Sequence, residues 1–363
     1  MRIGLISTIN TNIGDDMIRI GIINVLNDLF KRQKLDFVTI NKHHPYTVYP
    51  EWHPIRWAPR GKRILSTLLH RYGFSCFDDC DLIIQCGAPV LWPNCHRSEW
   101  ATPLWHQVVG RLSGRIPVLN LAAGSCYPWE RQPEYISESR DALYLKAILG
   151  YCRLTTVRDR LAQRLCVNLG AQTPLIPCSA FVSFTGQVTS KRNDGIVVIN
   201  YMSGGGHYEW EQNIEKAAWH KTAVKLLNLL RKRHKLVFLC HNKVEYDLAE
   251  NLSPDIRRFL PNNVVEYFEF ISGAKAAVCN RMHASVALAG MGIPSVAVCT
   301  DTRLLMVEAL GLPCFYVKDV TAEMIEDKIE SLLAKQSDER ERLLALRSET
   351  WKEYFEAVSS ITR

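Results

Sequence analysis

The sequence is dominated by short apolar segments that alternate with segments of helical spacing. Short apolar runs bounded by polar loops predict buried strands. Their regular alternation with helices predicts parallel sheets whose two faces are both covered by helices. The strands predicted in the first half are 2–8, 35–41, 81–87, 116–124 and 154–159, with helices at 17–30 and 160–170. The fold class is therefore predicted to be α/β.

The same alternation begins again after TGQVTSKRNDG at 185–195, a polar stretch with two glycines that is typical of a linker. The predicted elements that follow are strands at 195–201, 235–242, 275–280 and 295–300, a long helix near 210–233, and a helical tail from 337. We predict two Rossmann-like doubly wound domains, 1–186 and 187–363, with a cleft between them. Packing of the final helix against the first domain stays open.

Composition restricts the class of protein. Hydrophobic residues make up 47% and charged residues 22% of the 363 positions, which are the proportions of a globular protein. The net charge of +7 permits acidic ligands without requiring nucleic acid. Twelve scattered cysteines, many in apolar runs, favour a reducing compartment and match no standard metal site. We therefore expect a cytoplasmic protein, with peripheral contact to the inner face of a membrane through the segment from Trp52 to Arg63 left open.

Polar residues follow two of the strands predicted in the first half, where ligands of open α/β sheets bind. Asn12, Gly14 and Asp15 come after the first strand, at a helix start whose free amides could receive an anion. An aspartate at this place could instead cap the helix. Arg158 lies at the end of the strand at 154–159 and could clamp a phosphate or carboxylate. A salt bridge to a neighbouring acid is the alternative for Arg158.

Two further candidates follow strands in the second half. The segment Ser203-Gly204-Gly205-Gly206-His207 comes after the strand at 195–201, and its glycines would let backbone amides approach a ligand closely. It lacks the spacing of the standard phosphate-binding loops. His241 ends the next strand and is either a cleft residue or a structural histidine.

The sharpest candidate is CNRMHASVALAGMGIPSV at 279–296. Arg281 and His283 occupy its predicted strand-to-helix turn, where free amides and the helix dipole favour negative charge. A guanidinium provides fixed cationic binding, and an imidazole can carry a proton at neutral pH. Arg303 follows the next predicted strand. Together these residues indicate a small, doubly anionic substrate that needs acid catalysis.

The chain resembles the polysaccharide pyruvyltransferase family. The matching segments are NIGDDMI, VRDRLAQRLCVNLG, NRMHASVALAGMGIPSVAV and DTRLLMVEALGLP, in the family's order. The family has a two-domain fold similar to GT-B glycosyltransferases, and its members move a pyruvyl group from phosphoenolpyruvate onto sugar hydroxyls as a ketal. The resemblance implies phosphoenolpyruvate as the donor substrate, a glycan or lipid-linked sugar as the acceptor, and neither a cofactor nor a metal.

The resemblance also implies roles for individual residues. Arg281 and Arg158 would hold the carboxylate and the phosphate of the donor, and His283 would be the general acid. Asp15 would orient or deprotonate the acceptor hydroxyl. This chain departs from the family pattern at Cys178, where an acidic residue is usual, and at Arg303, where a lysine is common.

Two other functions are compatible with the same residues. In a GT-B-like glycosyltransferase, the glycine-rich segment at 203–207 and Arg281 would bind the diphosphate of a nucleotide sugar. In a protein without catalytic activity, Arg281 would pair with an internal acid.

Overall fold

The computed structural model describes residues 1–9, 12–43, 48–50, 76–186 and 195–362. Two compact units make up the chain. Unit 1 comprises Met1–Cys126, Pro133–Ser179 and Trp351–Arg363, and unit 2 comprises Tyr127–Gln132 and Ala180–Thr350. The domain boundary predicted after residue 186 is next to residues that the structure does not describe, and it stays a prediction. The segment 52–63, predicted to contact a membrane, lies outside the described residues.

Unit 1 is built on a six-stranded sheet with the order β3-β2-β1-β4-β5-β6. Its strands are β1 (Arg2–Ser7), β2 (Asp36–Asn41), β3 (Val48–Pro50), β4 (Leu82–Leu91), β5 (Val118–Ser125) and β6 (Leu154–Val157). All neighbours are parallel except β2 and β3. This order is that of a Rossmann-type sheet, in which successive strands are added toward one edge from β1 to β3 and toward the other edge from β4 onward. All eight residues of β5 are buried, as expected for a strand covered on both faces.

Three helices of unit 1 begin at residues whose side chains cap the first turn, and these are α1 (Ile13–Leu29), α2 (Ser139–Tyr151) and α3 (Arg160–Asn168). A π-helix (Ala101–Val109), which continues as one α-turn (Gly110–Leu112), has no side-chain cap. The prediction that α1 starts at 17 is wrong by one turn, because the side chain of Asn12 accepts a hydrogen bond from the amide of Gly14 and caps the helix there. Neither Asp15 nor Asp16 is the cap, since both lie in the first helical turn.

Unit 2 repeats this topology with the order β12-β11-β10-β7-β8-β9, all parallel. Its strands are β7 (Ile196–Asn200), β8 (Lys235–Leu239), β9 (Arg258–Phe259), β10 (Ala274–Cys279), β11 (Ser295–Cys299) and β12 (Cys314–Tyr316). The order in which strands are added to the sheet changes sides between β7 and β10. Four adjacent strands of this sheet, β8, β7, β10 and β11, carry the sequence candidates of the second half.

Helices connect the strands of unit 2. They are α4 (Lys216–Leu230), α5 (Lys243–Leu252), α6 (Val264–Ile271), α7 (Met282–Gly290), α8 (Leu304–Glu308), α9 (Ala322–Ala334) and α10 (Gln336–Thr362). Every residue of α7 is buried, and its small side chains allow this. A Cβ atom at Gly290 would lie only 2.5 Å from the carbonyl oxygen of Phe181.

The last helix, α10, contributes to both units. From Trp351 onward its residues belong to unit 1. There the indole of Trp351 donates to the Asp28 carboxylate at 3.2 Å, and the hydroxyl of Tyr354 donates to the carbonyl of Pro177 at 2.8 Å. Across the described residues, none of the helices is both long enough and apolar enough to cross a membrane.

Candidate functional site

The sequence candidates of unit 2 lie together at the carboxyl edge of its sheet. The 203–207 segment follows β7 and His241 follows β8, while Arg281 and His283 follow β10 and Arg303 follows β11. Since these four strands are adjacent and parallel, all the candidates lie at the carboxyl edge of a single sheet. This is the side on which open α/β sheets bind ligands.

Arg281 is bound to an internal acid. Its Nε and Nη2 atoms donate to one carboxylate oxygen of Glu245 at 2.8 and 2.6 Å, and the two side chains are only 11% and 3% exposed. The sequence interpretation treated this guanidinium as fixed cationic binding and kept pairing with an internal acid as the alternative. The structure shows that pairing, and the Glu245 carboxylate offsets the charge of Arg281. The Nη1 atom of Arg281 makes no hydrogen bond to any described residue. One edge of the guanidinium is therefore used for anchoring, and the other remains available.

Glu245 is the centre of a buried network. Its second carboxylate oxygen accepts from the side chain of Asn200 at 3.0 Å and from the backbone amide of His241 at 2.9 Å. Asn200 in turn accepts from the backbone amide of Arg281 at 2.8 Å. Burial by itself raises the pKa of Glu245, but neighbouring His241 and Arg281 lower it, and the net pKa lies below the usual value. The network therefore joins the ends of β7, β8 and β10 around an ionised carboxylate.

Sequence reasoning missed Glu245 because its local motif has a simpler explanation. Asn242 caps α5 and accepts from the amide of Glu245 at 2.9 Å, which is the pattern of a capping box. The same motif caps α6, where Asn263 accepts from the amide of Glu266 at 3.0 Å. Both glutamates also accept from the backbone amide that precedes the cap, Glu266 from Asn262 and Glu245 from His241, each at 2.9 Å. Glu245 in addition reaches Arg281, 36 residues away in sequence. Only the tertiary structure distinguishes the two glutamates.

His241 is an uncharged histidine of this network. Its Nε2 atom lies 3.3 Å from the hydroxyl of Tyr267, while its buried Nδ1 atom has no hydrogen-bond partner among the described residues. Burial lowers the pKa of His241 to about 4; Glu245 opposes this effect and Arg281 adds to it. His241 is therefore neutral at physiological pH. Its predicted contact with substrate stays a prediction.

The glycine-rich segment forms a tight turn against neighbouring elements. The amide of Gly205 donates to the carbonyl of Met202 at 2.9 Å, and Gly205 has a φ of +75°. A side chain at Gly205 would overlap Val317, and one at Gly206 would overlap the hydroxyl of Thr300. Glycine is thus required at both positions.

Two amides of this turn are not hydrogen-bonded, although the glycines that carry them are buried. Those of Gly204 and Gly206 make no hydrogen bond within the described part of the chain. Ser203 opens the same turn. The prediction that this segment could offer amides to an anion is compatible with this geometry and stays a prediction.

Arg303 is also held by a carboxylate. Its Nε and Nη2 atoms donate to the two oxygens of Asp301 at 2.8 and 2.6 Å, and the side chain of Asp301 is fully buried. The guanidinium carbon of Arg303 lies 4.8 Å from the centroid of the Tyr208 ring. The imidazole of His207 packs against the same ring, with centroids 4.3 Å apart.

His283 lies in the first turn of α7, two residues after Arg281, which is the N-cap of the helix. It is 9% exposed. This is the strand-to-helix junction at which the sequence placed it. The acid role stays a prediction. In the described ranges, no group of three or more histidine, cysteine, aspartate or glutamate side chains could hold a metal ion.

A separate group of polar residues lies at the carboxyl edge of the unit 1 sheet. Asp15 is in the first turn after β1, and Lys42 directly follows β2. Lys42 is buried and its ammonium lies 4.9 Å from the centroid of the Trp100 ring. Burial lowers the pKa of Lys42, an effect that Asp15 opposes and Arg158 strengthens. Sequence reasoning missed Lys42 because a lysine just after a strand is usually solvated.

Arg158 lies inside unit 1 and is only 1% exposed. Its Nη1 atom is 3.6 Å from the sulfur of Cys178, and a side chain at Gly124 would overlap its guanidinium. The sequence interpretation expected Arg158 to clamp an anion at the sheet edge. The guanidinium is buried against Gly124, and its role in anion binding stays a prediction.

Comparison with known proteins identifies a family. The family model for polysaccharide pyruvyl transferase matches residues 12–301, which is most of the chain and includes all the site candidates except Arg303. No curated protein matches the sequence.

Solved structures are similar in fold at low sequence identity. The UDP-GlcNAc 2-epimerase from Neisseria meningitidis bound to UDP-GlcNAc is 9% identical, covers 95% of this chain and 94% of its own, and gives a TM-score of 0.55. The UDP-N-acetylglucosamine 2-epimerase from Rickettsia bellii is 11% identical, with coverages of 100% and 97% and a TM-score of 0.54. These likenesses show the fold alone. The predicted α/β class, with two Rossmann-like domains of the GT-B type, is confirmed.

Proposed function

Because the chain belongs to the polysaccharide pyruvyl transferase family, we propose that phosphoenolpyruvate is its donor and binds at the carboxyl edge of the unit 2 sheet. The protein is a transferase of pyruvyl groups to a glycan. The observation that carries the donor site is the convergence of an anchored Arg281, two unbonded glycine amides and His283 on one side of that sheet.

The donor needs two kinds of partner, since it carries a carboxylate and a phosphate. The amides of Gly204 and Gly206 and the start of α7 suit the phosphate, because backbone N–H groups and the positive end of a helix dipole favour anions. The Nη1 edge of Arg281 suits the carboxylate. Its other edge is held by Glu245, so little side-chain freedom is lost when the donor binds.

Ketal formation requires a proton at the donor and the loss of protons from two hydroxyls. In our scheme His283 protonates the methylene carbon, C3, while the first hydroxyl oxygen bonds to C2. The bond from C2 to the phosphate oxygen then breaks, and the second hydroxyl oxygen bonds to C2. Of the two hydroxyl protons released, one replaces the proton that His283 gave to C3, and one leaves on phosphate. General acid catalysis of this kind contributes about 10²- to 10⁴-fold.

Unit 1 offers the groups suited to the acceptor. Asp15 is partly exposed at the sheet edge and can orient a hydroxyl or accept its proton. Lys42 is electrostatically coupled to Asp15. We assign the sugar to this edge on the basis of that carboxylate. The scheme uses no separate cofactor and no metal, and contact with a membrane through residues 52–63 stays a prediction.

The test is thermal stabilisation of the purified protein by phosphoenolpyruvate, compared with UDP- and GDP-sugars. We expect stabilisation by phosphoenolpyruvate alone, and its loss in Arg281→Ala. Arg257→Ala, which removes an exposed guanidinium from the same unit, is the control and should retain it. Stabilisation by a nucleotide sugar only would replace pyruvyl transfer with glycosyl transfer.

Arg281→Ala also leaves the Glu245 carboxylate buried without its partner, which by itself destabilises the fold. The double variant Arg281→Ala/Glu245→Ala removes both charges and separates that effect from ligand binding. His283→Ala should bind phosphoenolpyruvate and lack turnover. Full turnover in that variant would exclude His283 as the acid.

A further inference from the structure

The two arginines at the donor edge supply little net charge. Each forms a two-point ion pair with a buried carboxylate, Arg281 with Glu245 and Arg303 with Asp301. The four charges sum to zero. Phosphoenolpyruvate carries a carboxylate and a phosphomonoester, so its charge at neutral pH is about −2.5 to −3. These two ion pairs therefore give the edge fixed directions for hydrogen bonding but add no net positive charge to it.

One histidine of this edge, His207, interacts electrostatically with the side chains of both ion pairs. His207 ends the glycine-rich turn, whose unbonded amides belong to Gly204 and Gly206. Its ring lies against that of Tyr208, which also carries the guanidinium of Arg303 at 4.8 Å. The hydroxyl of Thr300 donates to the carbonyl of Tyr208 and fixes this arrangement against the end of β11.

His207 is uncharged before a ligand binds. Although the residue as a whole is exposed, partial burial of its ring lowers the pKa to about 4, and Arg281 and Arg303 lower it further than Asp301 and Glu245 raise it. These four side chains are the charged groups with the largest effects on its pKa. Glu209, which lies beside Gly204, is a further carboxylate at this turn and pairs with Lys216 at 2.8 Å. A multiply charged anion placed between the amides and the arginines would reverse the balance, because it favours the charged imidazole.

We propose that His207 is a donor-binding residue that takes up a proton when phosphoenolpyruvate binds, and so supplies the positive charge that the ion-paired arginines do not. This rests on the donor site proposed above. The protonated imidazole donates a hydrogen bond to the anion. Its role differs from that of His283, since its proton stays on the imidazole during the reaction and neutralises the bound donor.

Proton uptake sets the direction of the pH dependence. A group that gains a proton on binding makes the affinity rise as pH falls. An opposite charge can raise the pKa of a neighbouring group by as much as about 3. Starting from a pKa of about 4, such a rise gives uptake of about half a proton at pH 7, more at pH 6.5 and less at pH 7.5.

The experiment is isothermal titration of the full chain with phosphoenolpyruvate at pH 6.5, 7.0 and 7.5. Each titration is done in two buffers of different ionisation enthalpy, so that the heat reports the protons exchanged. The titration of the ligand itself cancels in the difference between the wild type and His207→Gln. We expect that difference to be about half a proton at pH 7. We also expect His207→Gln to bind about fourfold more weakly at pH 6.5 and nearly normally at pH 7.5.

Two further variants make the result specific. His106→Gln changes a histidine of unit 1 that contacts Tyr151 and should exchange the same protons as the wild type. His283→Gln should retain the part of the uptake that depends on His207. Equal uptake in the wild type and His207→Gln would overturn the inference while leaving the donor site intact. Absence of wild-type binding would overturn the donor site and the inference together.

Discussion

The carboxylate of Glu245 holds the guanidinium of Arg281 through Nε and Nη2 at 2.8 and 2.6 Å, with both side chains almost fully buried. Such a pair costs desolvation and does not by itself stabilise a fold. Its effect is geometric, because it fixes one edge of the guanidinium and directs Nη1 away from the carboxylate. In a protein without catalytic activity, Arg281 is expected from the sequence to pair with an internal acid. In a transferase the same contact orients the Arg281 guanidinium for binding.

Replacing Glu245 with glutamine should reduce both stability and donor binding. The neutral amide leaves the Arg281 charge buried without a partner, which costs about 3 kcal/mol in the free energy of unfolding. Glu266→Gln is the matched control, because Glu266 occupies the same capping position on α6 without an arginine. Its cost should be below about 1 kcal/mol in urea denaturation. Equal losses in the two variants would mean that Glu245 acts only as a cap.

Stability should decrease as pH falls from about 6.5 toward 4. The pKa of His241 is lowered to about 4 in the folded protein, while the unfolded chain binds a proton near 6.5. The contribution of His241 to stability is therefore complete above pH 6.5 and falls by up to about 1.4 kcal/mol per pH unit below it, and His207, whose pKa is also about 4, acts in the same direction. Glu245, whose pKa is also lowered, adds a second loss at pH below about 4.5.

Denaturation of His241→Gln in urea at pH 5, 6, 7 and 8 measures the first of these effects. The variant should show a shallower dependence on pH than the wild type between pH 5 and 6.5. An identical slope in both would place the responsible group elsewhere.

Lys42→Met should separate stability from activity in unit 1. Methionine fills a similar volume without a buried charge, so the free energy of unfolding should stay constant or rise by about 1 kcal/mol. Transfer to the sugar should fall at least tenfold, because Asp15 loses the cation coupled to it. Thermal stabilisation by phosphoenolpyruvate should be unchanged. Lys34→Met, at an exposed position of the same unit, is the control for both measurements.

Gly206→Ala should weaken binding of phosphoenolpyruvate. The added methyl group overlaps Thr300, so the turn must move away from the end of β11. Gly150→Ala is the contrasting change, because Gly150 lies in α2 with open space around it. That variant should be more stable by about 0.5–1 kcal/mol and should bind the donor normally. Normal binding by Gly206→Ala would remove the glycine turn from the donor site.

The long strands were predictable because burial on both faces produces apolar runs that are visible in sequence, as in β5 and β10. Strands β9 and β12 were not, since two or three residues carry no periodicity. The position of Arg281 and His283 followed from the junction of a strand and a helix. The ion pair with Glu245 did not, because it joins residues 36 positions apart and competes with a local capping motif.

Burial of charged side chains was the other limit. Lys42 follows one predicted strand and Arg158 lies at the end of another, and sequence alone suggests that such cations face solvent. The structure buries both, Lys42 near the Trp100 ring and Arg158 beneath Gly124. Whether a cation at a strand end is covered depends on residues brought there by distant parts of the chain.

The position of helix α10 affects the order in which the two units are completed during translation. Unit 1 includes residues 351–363, which leave the ribosome only after all of unit 2. At 5–20 residues per second, the stretch from 180 to 350 delays them by on the order of ten to thirty seconds. Throughout that interval the nascent first unit lacks Trp351 and Tyr354, the partners of Asp28 and Pro177. Unit 2 is thus the first unit whose chain is synthesised in full, although it is encoded second.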